Sequence, residues 1–100
     1  MSIITGGLSE LKEADEEVRN LINQVRDDLE SRVGTTFTIY EAVSFKTQVV
    51  AGLNFFIKIQ TEVDIYIHVR IFRSLPYEQT GPEVVSFQLN KSKDDEIEYF

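Results

Sequence analysis

The apolar period of this chain changes at Gly34, and that change limits the folds open to it. Before Gly34, Val18, Leu21, Ile22, Val25 and Leu29 recur at the spacing of one helix face. After it the period becomes two. Leu53, Phe55, Ile57 and Ile59 alternate with Asn54, Phe56, Lys58 and Gln60. Ile65, Ile67, Val69 and Ile71 alternate with Tyr66, His68, Arg70 and Phe72. Val85, Phe87 and Leu89 alternate with Ser86, Gln88 and Asn90. The first pattern predicts one amphipathic helix over about 15–33, and the second predicts strands with one core face. Asp15 suits the N-cap, Glu16 and Glu17 suit the positive end of the helix dipole, and Gly34 stands at the C-terminal stop.

The strand expected over 37–47 is less regular. Phe37, Ile39, Val43 and Phe45 share a phase, but Glu41 falls among them on the core side. A β-bulge near Tyr40–Glu41 would resolve the conflict. The connections between strands are too short for helical crossovers, so the strands are expected to pair antiparallel. One helix laid on the inner face of such a sheet buries both apolar surfaces, an α+β architecture. Residues 1–12 carry little pattern and read as a mobile arm. The final stretch "NKSKDDEIEYF" is charged but holds Ile97, Tyr99 and Phe100, so it is expected to tuck against the sheet.

Composition narrows the function classes. The 100 residues fit a single domain spanning 1–100. The net charge of −7 makes a nucleic acid or an anionic membrane a poor partner. Cysteine is absent, which rules out disulfides and thiol chemistry and suits a reducing compartment. The first residues have no basic region and no signal-length apolar run, so a cytoplasmic location is expected. His68 is the only histidine and lies on the polar side of its strand, where a solvated or hydrogen-bonded residue is expected rather than a base. No zinc-type spacing exists, Asp94-Asp95-Glu96 reads as a solvated charge run, and Gly6-Gly7 lacks the lysine of a phosphate loop. The chain is expected to be no enzyme and to need no cofactor or metal.

Surfaces must then carry the function. Three places put apolar or backbone-exposing residues outside the alternating pattern: the arm at Ile4, Thr5, Gly6 and Gly7; Gln48, Val49, Val50, Ala51 and Gly52; and Ser74, Leu75, Pro76 and Tyr77. In an antiparallel meander the second and third are hairpin ends on the same side of the sheet. Exposed apolar tips lower solubility, so a binding role accounts for them. Each loop also has a plainer account, a fold-back into a small satellite cluster, and Gly6-Gly7 alone is compatible with a simple flexible terminus.

The stretch "QVVAG" at 48–52 matches the Gln-X-Val-X-Gly motif of the cystatins, and the chain resembles the stefins, their disulfide-free type 1 branch. "GGLSE", "AVSFKTQVVAG", "FFIKI", "HVRIFRSLP" and "NKSKDDEIEYF" carry the resemblance in order over nearly the whole chain. It implies the cystatin fold, an antiparallel sheet wrapped around one long helix with the arm adding a first strand. It implies reversible, tight-binding competitive inhibition of papain-like cysteine proteases, of cathepsin L, S, H and B type. By position, Gly6 would lie near the catalytic thiol, Gln48, Val49, Val50, Ala51 and Gly52 would form the first hairpin contact, and Leu75, Pro76 and Tyr77 the second. Gly52 and Ala51 would allow close backbone approach to the protease. The resemblance implies a monomer, with a domain-swapped dimer reachable by opening the first hairpin. The turn at "TEVD", 61–64, lacks the expected glycine. A non-inhibitory cystatin-fold interaction scaffold is the alternative, and a small-ligand-binding or isomerase-type protein of the same layout is a third reading.

Overall fold

The computed structural model describes residues 7–78 and 80–100. Helix α1 covers Glu16–Gln24 and α2 Arg26–Val33, preceded by the short strand β1, Lys12–Glu13. Four longer strands follow: β2 (Glu41–Val50), β3 (Gly52–Glu62), β4 (Ile65–Arg73) and β5 (Glu83–Lys91). With β1 they form one antiparallel sheet in the order β1-β2-β3-β4-β5, in which β2 to β5 are the meander that short connections require and β1 joins β2 across the intervening helices.

The expected single helix is two segments. Val25 leaves helical geometry at φ −102° and ψ 5°. The ladder spans it, because the Val25 N–H donates to Leu21 O at 3.3 Å and the Leu29 N–H to Val25 O at 2.9 Å. The stripe therefore stays intact: Val18, Leu21, Ile22, Val25 and Leu29 are all buried. They pack on Phe45, Phe55, Ile57, Ile59, Ile67, Val69 and Ile71 from the inner sheet face. Asp15 caps α1 by accepting the Val18 N–H at 2.9 Å. Gly34 closes α2 at φ 88°.

The strand expected from position 37 begins only at Glu41. The helix holds Phe37 and Tyr40 instead, while Thr38 and Ile39 both donate to Thr61 O of β3. The Glu30 carboxylate accepts the Phe37 N–H at 2.9 Å, and Arg26 donates to Phe37 O at 3.0 Å. The Phe37 N–H and the Arg26 guanidinium hold the Glu30 carboxyl below its usual pKa. The Tyr40 hydroxyl donates to Ile22 O at 2.6 Å, and its burial pushes its pKa up. The expected bulge exists but lies later, between Ala42 and Ser44, where Val43 is the extra residue. Glu41 consequently faces water, while Ala42 and Phe45 both meet the core.

The second sheet face differs most from expectation. It is buried too: Phe56, Lys58, Tyr66 and His68 have little or no exposure. Residues 92–100 cover it, as the apolar residues of that stretch suggest. Phe56 meets the rings of Tyr99 and Phe100 at 5.8 and 5.4 Å, and Ile97 is buried. Lys58 donates to Lys93 O and Asp95 O at 2.5 and 2.6 Å. His68 is therefore neither solvated nor hydrogen-bonded: it has no exposed surface, and neither ring nitrogen has a partner. Burial first, then the nearby Lys58 and Lys91 charges, push its pKa down to about 4.

The turn without glycine closes with Asp64 at φ 62°, one of the few residue types that tolerates the left-handed region. On the outer strand, β5 shifts register twice against β4, between Tyr66 and His68 and between Arg70 and Ile71.

Candidate functional site

The β2–β3 ladder runs to the very end of the first hairpin. Gln48 pairs with Asn54, Val49 with Leu53 and Val50 with Gly52, which leaves Ala51 alone at the tip. Val49 is 69% exposed and Val50 39%. The motif thus divides by role. Val49, Val50 and Ala51 face outward, whereas Gln48 and Gly52 are buried. Gln48 Oε1 accepts from Asn54 Nδ2 at 2.7 Å, a side-chain rung across the base of the tip.

Gly52 has a requirement inside its own sheet. Its φ is 131°, and a Cβ there would lie 2.6 Å from Arg73 O and 2.9 Å from Phe72 Cε1. The close approach expected toward a partner is, in the described fold, an approach to β4. Any side chain would collide with the neighbouring strand as well as strain the backbone.

The second loop leaves β4 at Arg73 and runs through Ser74 and Leu75 into a single 3₁₀ turn, Pro76–Glu78. The Glu78 N–H donates to Leu75 O at 3.0 Å. The Ser74 hydroxyl donates to Thr80 O and accepts from the Thr80 hydroxyl, so the loop is braced across its neck. Tyr77 stands outward with 77% of its surface exposed. At the loop base Arg73 pairs with Glu17 of α1 at 2.6 Å, which ties the start of the helix to this end of the sheet.

Both loops lie on one edge because β2 and β4 run the same way. An open groove of about 570 Å³ lies between them, walled by Val49, Val50, Leu53, Leu75, Pro76 and Pro82 among others. Its lining is mostly apolar, which favours an apolar or aromatic surface as its occupant.

The arm reaches the same edge. Leu8 bridges Gln48, and β1 pairs Lys12 with Phe45 and Glu13 with Ser44. The Ser9 N–H donates to Thr47 O at 2.8 Å, and the Ala14 N–H to Val43 O at 3.1 Å. The mobile arm expected over 1–12 is thus a paired edge from Leu8 onward, in keeping with the added first strand implied by the resemblance. Gly6 and Ile4 lie outside the described residues. Among the expected contacts, the structure brings Val49, Val50 and Gly52 to one groove with Leu75 and Pro76, and sets Leu8 beside Gln48. Sequence reasoning missed Ser9, Asn54 and Arg73, which shape this edge from behind. Asn54 was the most accessible of them, a short amide on the polar phase of β3 close to a candidate hairpin tip.

Among the described residues, no group of three or more His, Cys, Asp or Glu is placed to hold a metal ion. No helix there is long and apolar enough to cross a membrane.

A family model described as "Cystatin domain" matches residues 6–94. The chain is 41% identical over 98 residues to "Cystatin-A" of Felis catus, covering 98% of this chain and 100% of that protein. It is 40% identical over 95 residues to "Stefin-C" of Bos taurus, covering 95% and 94%. It is 36% identical over 98 residues to "Leukocyte cysteine proteinase inhibitor 1" of Sus scrofa, covering 98% and 95%.

Proposed function

The chain belongs to the cystatin family, within its stefin branch, and we propose that it is a reversible, tight-binding competitive inhibitor of papain-like cysteine proteases. Cathepsins of the L, S, H and B type are the proposed targets, and the cytoplasm the proposed location. Gly6, the first hairpin at 48–52 and the second at Leu75, Pro76 and Tyr77 enter the active-site cleft as one wedge, with 1–100 acting as a single inhibitory domain.

The observation that carries this reading is the shared edge: exposed Val49 and Val50 stand across an apolar groove from Leu75 and Pro76, and the adjoining Ala51 and Tyr77 are exposed as well. A cleft-filling inhibitor needs apolar area and rigid presentation. Each valine contributes roughly 1.5–3 kcal/mol if fully desolvated. The hairpin is laddered to its last residue and braced by Gln48 and Asn54, so little backbone freedom is lost on binding. A named inhibitor among the relatives, the porcine leukocyte protein, supports the same activity class.

Turnover of a peptide substrate by papain, measured against increasing amounts of the chain, tests the proposal. Stoichiometric, competitive loss of turnover is expected, with no effect on a serine protease. Undiminished papain turnover at micromolar protein would instead favour a non-inhibitory scaffold.

A further inference from the structure

We propose that Ser9 is a positioning residue for the inhibitory arm: its hydroxyl fixes the register in which Leu8, the root of the arm, joins the sheet beside the first hairpin. The inference rests on the inhibitory reading above and adds to it a residue outside the resemblance-derived contacts.

The arm pairs with β2 in two stretches whose registers disagree. Leu8 lies opposite Gln48, but Lys12 lies opposite Phe45. Residues 8–12 of the arm therefore span only 45–48 of β2, one residue too many on the arm side. An extra residue bends a strand and re-aims what precedes it. Such a misfit usually leaves a main-chain group unpaired. Here Ser9 takes it up. Its N–H donates to Thr47 O at 2.8 Å, while the Thr47 N–H donates to Ser9 Oγ at 2.9 Å. The same hydroxyl donates onward to Glu10 O at 2.9 Å. A side-chain oxygen thus stands where a ladder would use a carbonyl, and it is committed on both its donor and acceptor sides.

Thr47 is also the residue before Gln48, which bridges Leu8 and is braced by Asn54. The Ser9 hydroxyl therefore adds a side-chain link to the main-chain pairing between the root of the arm and the base of the first hairpin. Without it the Thr47 N–H loses its acceptor and the bend loses its anchor, while the core stays untouched. Leu8 is then held less firmly against Gln48, and the arm's proposed contacts with a protease break sooner.

The test is a double-mutant cycle on the full chain, pairing Ser9→Ala with Gly6→Glu, which disables the arm at its proposed contact. Loss of one anchoring hydrogen bond should speed dissociation from papain about fivefold. In the Gly6→Glu background the same change should alter the rate less than about twofold, because no arm contact is left to position. Ser9→Thr keeps the hydroxyl and should restore the slow rate. Equal acceleration in both backgrounds, or none in either, overturns the proposal. A readout without protease decides the matter separately: the heteronuclear NOE of the Leu8 amide should fall in Ser9→Ala and recover in Ser9→Thr. An unchanged NOE also overturns it. If the wild-type chain fails to slow papain, the inhibitory reading alone is lost, and the NOE still judges whether Ser9 sets the arm.

Discussion

The two turns that bound β3 both put valine into water. At one end Val49 is 69% exposed beside the single-residue tip at Ala51; at the other, Val63 is 75% exposed beside Asp64. By exposure alone the two are equal candidates for a contact. Their surroundings separate them. The first tip has a second loop across a shared groove and the arm at its flank. Among the described residues the β3–β4 turn has no companion hairpin, because at that end β2 starts and β5 runs out. One apolar residue in water is ordinary for a protein surface; several converging on one edge make a candidate site.

The sharpest way to break this contrast is to charge each tip in turn. Val50→Asp should weaken papain inhibition by about 3–5 kcal/mol, since the charge is solvated in the free chain and desolvated in the complex. Its melting temperature should stay close to wild type, and a melt alongside the inhibition titration checks both. Gly52→Ala should act on the fold instead. The positive φ and the contact with Arg73 O together cost about 2–3 kcal/mol of stability, read as a lower urea midpoint. An unchanged midpoint would mean that the edge yields more readily than its packing suggests. Tyr77→Ala should weaken inhibition by about 1–2 kcal/mol with no loss of stability, the effect of trimming one exposed aromatic contact. Val63→Asp should change neither inhibition nor stability by more than about 0.5 kcal/mol. A clear loss of inhibition in that variant would erase the distinction between the two ends.

Much of the fold could be read from periodicity, since the stripe from Val18 to Leu29 and the alternation in β3 and β4 describe the inner layer directly. The residues that resisted were those whose partners are remote. Alternation assigns Phe56, Lys58 and His68 to one face but cannot say what covers that face, and residues 92–100 do so. His68 thereby becomes a neutral buried ring, not a surface one. The strand start at Glu41 was misplaced because Glu30 and Arg26 draw Phe37 to the helix, a competition that local pattern does not display. At the candidate site, the apolar tips were visible because they violate the turn chemistry expected of a hairpin. The supporting roles of Gln48 and Gly52 follow from register with Asn54 and from contact with β4, and both appear only once the strands are paired.

The double register shift in β5 bears on how such a molecule keeps its sheet to itself. A long, regular outer strand offers an unbroken row of N–H and C=O groups, a template on which a second chain can add. Here the row is broken twice, near Val85 and again near Leu89 and Asn90, the latter with Asn90 at φ 58°. Between the two breaks only Ser86–Gln88 stays in one register, and Glu83 and Val84 form a separate short run beyond the first. A strand docking from outside would lose pairing after about one repeat at either end. The exposed Val85 and Leu89 therefore sit on a margin that discourages zippering into fibres, and the outermost strand ends the sheet where it stands.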